Sequence, residues 1–376
     1  MTLAPLPLIE PKREEALLRI ASGQAGDREA EQRVERALGA RPLGLGELAA
    51  LLSPAADAYL EQMAQKARAL TRKHFGRTIE LYIPLYISNE CSSGCDYCGF
   101  AADRKVQRRR LSLAEIEREI AVLARQGFDE VLLLTGERAG EADLIFLEDA
   151  VRLCRAYVTR VTVEAFPLQT EEYARLVRAG LFGITIYQET YDRELYRQVH
   201  RWGPKRDYDF RLHTPERALR AGVRGVGLGA LLGLGEADRD LLRVAAHLDQ
   251  LYRRYWQAYL SVSFPRLRPE AGGRVAARPV GDRELVRYIF AFRIALPKIH
   301  LVLSTRESVL MRDNLAGVGI SKMSVGSHTT VGGYEHQYGD ARQFELADER
   351  TCEQFCQTLA ERGLVGVYKN WDTAFI

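Results

Sequence analysis

The sequence predicts an α/β fold, a (β/α)8 TIM-type barrel with a helical N-terminal extension. Three observations lead there. From residue 79 onward, eight short β-rich runs alternate with longer amphipathic segments, the pattern of a parallel sheet with crossover helices. Several of these runs are almost wholly apolar, such as VLLLT at 131–135, which suits strands buried on both faces. The eight repeats spread over about 250 residues, the usual extent of a closed barrel.

Residues 1–78 show no strand patterning. Between Leu45 and Phe75, apolar residues recur mostly at three- and four-residue intervals, as one helix face requires. Pro42, Gly44, Gly46 and Pro54 divide the region into several short helices. This part is expected to pack on the barrel, with residues 79–376 forming the barrel and a closing helical and loop segment. The expected strands are Ile79–Ser88, Glu130–Thr135, Arg160–Phe166, Gly183–Tyr187, Gly225–Ala230, Ala258–Phe264, His300–Ser304 and Gly319–Val325. The last is the least patterned, so an incomplete barrel stays open. Helices are expected between them, and one more at about Asp348–Arg362.

Composition narrows the class. The 376 residues are 47% apolar and 27% charged, as in an ordinary globular enzyme and unlike a disordered or fibrous chain. The net charge is +3 without basic clustering, which argues against a nucleic-acid partner. No run approaches the roughly 18 apolar residues of a membrane span, and no targeting pattern opens the chain. A cytoplasmic, membrane-free protein is expected. Six cysteines are too few for a disulfide scaffold.

Three of those cysteines carry the chemistry. YISNECSSGCDYCGF at 86–100 follows the first strand, with Cys91, Cys95 and Cys98 spaced C-x3-C-x2-C. In a barrel this loop lies at the C-terminal face, where active sites sit. Three thiolates on one loop can hold three irons of a 4Fe–4S cluster and leave the fourth iron open. A closed zinc site would need a fourth ligand, and the neighbouring sequence offers none. The triple-arginine run Arg108 to Arg110 reads as a solvated face. Cys154, Cys352 and Cys356 read as buried helix cysteines, and GSHTTVGGYEHQYG at 326–339 as a lid, a partner contact or a plain surface loop.

The cysteine spacing, followed by a small residue and an aromatic, resembles the radical S-adenosylmethionine (SAM) superfamily. In that superfamily the open iron binds the methionine part of SAM, and one electron releases a 5′-deoxyadenosyl radical. The resemblance implies a 4Fe–4S cluster on Cys91, Cys95 and Cys98, with Tyr97 and Phe100 packed near the cofactor. It implies that Gly136 and Glu137, ending the second strand, hold the methionine amino group. Glu164, Gln188 and Arg268 are further strand-end candidates for the cofactor. The glycine-rich VGLGALLGLGE at 226–236 resembles the superfamily's adenine-packing run.

YISNECSSGCDYCGF, LLLTGE, YQETY, GLGALLGL, YLSVSFPRLRP, LSTRES and the closing KNWD together resemble the 2-iminoacetate synthase family, the tyrosine lyases of thiamine thiazole synthesis. That resemblance runs from about residue 45 to the end of the chain. It implies hydrogen abstraction from the amine of L-tyrosine and Cα–Cβ cleavage to 2-iminoacetate (dehydroglycine) and p-cresol. A thiazole synthase would take the imine, and a flavodoxin- or ferredoxin-type protein would supply electrons. Arg306 and Ser304 are the expected receptors of the substrate carboxylate, since an arginine fork pairs with a carboxylate through two bonds. Glu189 is expected to touch substrate or cofactor. The related hydrogenase-maturase lyases carry a C-terminal extension with a second cluster. This chain ends at Ile376, which favours the thiamine enzyme. A lyase for another aromatic amino acid, or a non-catalytic iron–sulfur scaffold, are the other readings.

Overall fold

The computed structural model describes residues 8–23, 27–40, 43–138, 140–268, 278–336 and 342–368. The closing KNWD at 369–372 lies outside them. Nine parallel strands form one sheet: β1 (Thr78–Tyr86), β2 (Glu130–Leu134), β3 (Arg160–Glu164), β4 (Leu181–Glu189), β5 (Gly225–Ala230), β6 (Tyr259–Ser263), β7 (His300–Leu303), β8 (Lys322–Ser324) and β9 (Val365–Val367). From β1 to β8 each strand pairs with the next, and β8 pairs with β1 to close the ring. Its residues Glu80 to Tyr82 pair with Lys322 to Ser324 of β8, and Ile83 to Tyr86 pair with Val131 to Leu134 of β2. The barrel is complete. The ninth strand, absent from the sequence reading, pairs outside the ring with Thr78 to Glu80.

A three-residue β8 needs outside support. Arg312 supplies some of it, donating to Ser324 O (2.7 Å) and Asp348 (2.7 Å). Arg293 donates to Gly319 O (2.9 and 2.7 Å) and Ser321 Oγ (3.1 Å), just ahead of the strand. Helices Pro11–Ala21, Asp27–Gly39, Leu45–Leu52 and Leu60–Phe75 precede β1. Arg287, on the helix Asp282–Ala295, donates to Leu52 O (2.9 Å) and Asp57 (2.6 Å). Thr71 Oγ1 accepts from Gly319 N (3.1 Å). No helix among the described residues is long and apolar enough to cross a membrane.

Side chains alternate along a strand, so every second residue enters the barrel. The lowest layer is charged. Arg160 reaches Glu80 (2.8 Å) and Glu130 (3.2 Å), and Lys322 reaches the same two carboxylates (2.9 and 2.5 Å). The Arg160 guanidinium lies against the rings of Phe182 (4.3 Å) and Tyr259 (4.6 Å). Burial pushes His300 in the same layer down to about 4, so it stays neutral. Above this floor come Tyr82, Leu132, Thr162, Thr185, Ser261 and Val302, around a narrow cavity. The functional residues lie higher still.

A buried ion cluster that loses one partner leaves an uncompensated charge, at a cost of about 3–5 kcal/mol. Arg160→Leu should lose stability of that order, read as a lower midpoint in chemical denaturation. An unchanged midpoint would mean that Lys322 alone neutralises Glu80 and Glu130.

Candidate active site

The loop after β1 is fastened on two sides. Asn89 is fully buried. Its amide donates to Gln107 O (2.9 Å) and its Oδ1 accepts from Arg109 N (2.7 Å). Arg108 threads inside the loop and donates to the carbonyls of Asn89 (2.7 Å), Phe100 (2.8 Å) and Ala101 (2.6 Å). The arginine run is therefore structural and not the solvated face that its composition suggested. Arg109 pairs with Glu115 (2.9 Å), and Arg110 with Asp143 (2.9 Å).

The second seam is backbone to backbone. Asp96 N donates to Val199 O, and Gly94 N to Trp202 O, each at 3.0 Å. A Cβ on Gly94 would stand 2.4 Å from the Trp202 ring. On the opposite side, a Cβ on Gly136 would lie 2.1 Å from Glu90 O. Only glycine lets the end of β2 approach the cysteine loop this closely.

Cys91, Cys95 and Cys98 line one wall of a cavity at the strand ends. Burial pushes the Cys95 thiol up, a cost that metal ligation removes because ligating thiols deprotonate. Among the described residues, no three His, Cys, Asp or Glu side chains converge as a single-ion site would. A cubane instead takes one thiolate at each of three corners, so the donor set suits a cluster. Thr135 Oγ1, beside Gly136 on the same cavity, is buried without a hydrogen-bond partner, a further sign that a polar ligand belongs there.

Tyr97, Phe100, Gly136, Glu137, Glu164, Glu189, Arg268 and Arg306 all line this cavity. Tyr97 donates its hydroxyl to His200 Nε2 (2.7 Å), while His200 Nδ1 donates to Tyr196 O (2.8 Å), which sets the tautomer. Glu137 accepts two bonds from Arg211 Nη1 (2.9 and 3.2 Å). Glu189 pairs with Lys205 (2.7 Å). Its φ is 68°, the sole positive value at a non-glycine residue among those described.

Gln188 is different: its amide donates to Tyr208 O (3.3 Å) and it lines none of these cavities. Arg268 reaches the cavity but is committed to Glu307 (3.3 Å) and to Arg306 O. Of the glycine-rich run, only Leu231 lines the cavity. Its glycines make room inside the barrel, where a Cβ on Gly229 would meet the Tyr187 ring at 2.7 Å.

A second, smaller chamber continues inward. Tyr82, Tyr86, Phe264, Ser304 and Ser324 line it, and it shares Glu164, Tyr187, Arg306, Gln343 and Phe344 with the first. The Arg306 guanidinium lies 3.5 Å over the Phe344 ring. Among the described residues it has no hydrogen-bond or ion-pair partner. Burial, then the nearby Glu189 carboxylate, push Glu164 up to about 7.

Lys205, Arg211, Gln343 and Phe344 escaped the sequence reading. They come from segments without periodicity, and only the fold brings them to the strand ends. Residues 326–335 proved well packed. Val331 is fully buried, and Glu119 accepts from Gly333 N (3.2 Å) and Tyr334 N (2.8 Å). Cys154 is buried, but Cys352 and Cys356 are only half-buried, and both contact the Tyr368 hydroxyl (2.8 and 3.0 Å).

Comparisons with known proteins agree with this geometry. The Radical SAM superfamily model matches residues 85–248, and the Biotin and Thiamin Synthesis associated domain matches residues 263–365. The 2-iminoacetate synthase of Escherichia coli (strain K12) is 43% identical over 341 residues, covering 90% of each chain. That of Salmonella typhimurium is 42% identical over the same length, again covering 90% of each chain. This chain belongs to the 2-iminoacetate synthase family. Among solved structures, it is similar to the FeFe-hydrogenase maturase HydG from Carboxydothermus hydrogenoformans, with a TM-score of 0.86, 31% identity, and coverage of 96% of this chain and 83% of that one. The methylornithine synthase PylB shares the fold, with a TM-score of 0.72, 21% identity, and coverage of 89% of this chain and 97% of that one.

In this member of the 2-iminoacetate synthase family, Gly136→Ala should prevent cluster assembly while leaving the helix content intact. The added methyl would have to push Glu90 and Cys91 apart from β2. Iron and sulfide content after anaerobic reconstitution, compared with far-ultraviolet circular dichroism, checks this.

Proposed function

We propose that this chain is a 2-iminoacetate synthase, a radical SAM lyase that cleaves the Cα–Cβ bond of L-tyrosine to give 2-iminoacetate and p-cresol. The observation that carries the reading is one junction. The Arg306 guanidinium, without a hydrogen-bond or ion-pair partner among the described residues, stands where the cysteine-lined cavity meets an inner chamber walled by Tyr82, Tyr86, Tyr187 and Phe264. A half-buried guanidinium without an ion-pair partner suits an amino-acid carboxylate, and the aromatic walls suit a phenol ring.

The resident groups would be a 4Fe–4S cluster on Cys91, Cys95 and Cys98 and a SAM molecule beside it. Glu137 has the charge to receive the methionine ammonium, and Arg211 and Lys205 the charge to receive its carboxylate. Tyr97, Phe100 and Leu231 offer apolar surface to the adenosyl part. When bound, cluster and SAM supply a 5′-deoxyadenosyl radical.

The chain's own residues hold the substrate. Arg306 and Ser304 fix the carboxylate end of tyrosine, so that its amine faces the outer cavity. Fixed geometry of this kind replaces much of the entropy cost of the encounter. The packed segment around Val331 and the Phe344 ring exclude water, which protects a radical and a hydrolysable imine alike. A thiazole synthase would take the imine, and a flavodoxin- or ferredoxin-type donor would supply electrons.

The test is an anaerobic assay with dithionite, SAM and L-tyrosine. Both p-cresol and glyoxylate, the hydrolysis product of the imine, should appear. SAM cleavage without p-cresol would reject tyrosine as the substrate, and carbon monoxide among the products would favour a maturase-type reaction. Arg306→Ala should weaken tyrosine binding by about 1.5–3 kcal/mol, the range for a charged hydrogen bond, as measured by calorimetry on the reconstituted protein. Cys95→Ala should lose the cluster and SAM cleavage together, read from the iron-dependent absorbance.

A further inference from the structure

The carboxylates around the cavity are not equivalent. Glu137 is held by Arg211 and Glu189 by Lys205. Glu164 has no hydrogen bond or ion pair to another side chain among the described residues. It stands at the end of β3 and, with Arg306, lines both the cysteine-lined cavity and the inner chamber. The carboxylate and ammonium of an amino acid sit on one carbon, so a guanidinium and a carboxylate facing one junction form a matched receptor for the pair.

We propose that Glu164 is the catalytic base of the reaction: it receives the tyrosine ammonium and takes one proton from it before the hydrogen atom is removed. This deepens the tyrosine-lyase reading and rests on it. In this step one N–H bond breaks heterolytically, its electron pair stays on nitrogen, and an O–H bond forms on Glu164. A charged pair becomes a neutral pair. The neutral amine has a lone pair that stabilises a nitrogen-centred radical, whereas an ammonium has none. A second N–H then loses its hydrogen atom, and the third remains in the imine.

The surroundings suit the role. The charged and titratable groups facing Glu164 are Glu189, Arg306, Lys205 and Arg211, with the phenols of Tyr82, Tyr86 and Tyr187 around it. Burial and Glu189 outweigh the three cations and push Glu164 up to about 7. A base is most effective when its affinity for the proton matches the working pH. The sign follows: the base form grows as pH rises, so p-cresol formation should rise through about pH 7.

Two measurements on reconstituted protein test this. The first is p-cresol formation against pH. The wild type should show a rising limb near pH 7, and Glu164→Gln should lose about 10²–10⁴-fold in rate, the range for a general base. The second is binding of tyrosine against 3-(4-hydroxyphenyl)propanoate, which has no ammonium. The wild type should prefer tyrosine by at least about tenfold, one charged hydrogen bond's worth. Glu164→Gln should lose that preference but keep its affinity for SAM.

A Glu164→Gln protein that keeps the preference, or makes p-cresol within about threefold of wild type, overturns the proposal. So does a variant that loses SAM affinity and keeps the preference, since Glu164 would then hold the cofactor. Should Glu164→Gln fail to fold, Glu164→Asp must displace the rising limb, and an unmoved limb overturns the proposal. A wild type that makes no p-cresol fails the tyrosine reading itself, which separates the two.

Discussion

Closure of the ring is the constraint on which the rest of this structure depends. Eight strands with every second residue turned inward share one interior, and the register decides which side chains meet. Pairing of Glu80 with Lys322 and of Glu130 with Arg160 puts four charges at one height. The same register, two to six residues further along, places Tyr82 and Tyr86 of β1, Leu134 of β2 and Glu164 of β3 around one chamber. A slip of one residue in any strand would reverse its faces, breaking the charged floor and the functional chamber together.

The two levels treat charge in opposite ways. At the floor each carboxylate meets both Arg160 and Lys322, and two aromatic rings lie against the guanidinium. In such a layer every carboxylate is met by two cations. At the junction of the two upper cavities, Arg306 has only the face of Phe344, and Glu164 has no partner side chain among the described residues. Half-buried charges left this way still cost some stability. A ligand that brings both an ammonium and a carboxylate removes that cost. Arg266 and Arg268 make the contrast within one short segment, because both are spent on the buried Glu307.

The sequence made the barrel legible because its signal is periodic and repeated. Each apolar run of β2 to β7 was locatable, and the cysteine loop was found from spacing alone. Short pairings carried no such signal. Three residues sufficed for β9 because β1 offered it a free edge, and VGV alone does not say so. Partners that depend on tertiary approach were equally silent. Arg108 looks like a surface arginine until the loop closes over it and presents its carbonyls. Lys205 and Arg211 lie in a stretch of turns and short helices after helix Arg193–Val199, and only folding sets them opposite Glu189 and Glu137. Gln188 shows the reverse error. It sits at a strand end among functional neighbours, but alternation turns it away toward Tyr208.

Backbone strain sits in β4 at the edge of the cavity that Tyr187 and Glu189 line. The pairing with β5 shifts between these residues, so Tyr187 opposes Gly229 and Glu189 opposes Ala230. One residue of β4 is thereby left without a partner, as in a bulge. Glu189 takes a φ of 68° to accommodate it, a conformation that costs a non-glycine residue on the order of 1–3 kcal/mol. Leu231 N holds the Glu189 carbonyl at 2.8 Å, and Lys205 holds its carboxylate at 2.7 Å. Both contacts oppose relaxation of the bulge. With glycine at 189 the backbone would be relieved, but the carboxylate that raises the proton affinity of Glu164 would be gone. The strain is therefore tied to the electrostatics of the neighbouring acid, and that links the shape of one strand to the chemistry proposed at the end of the strand beside it.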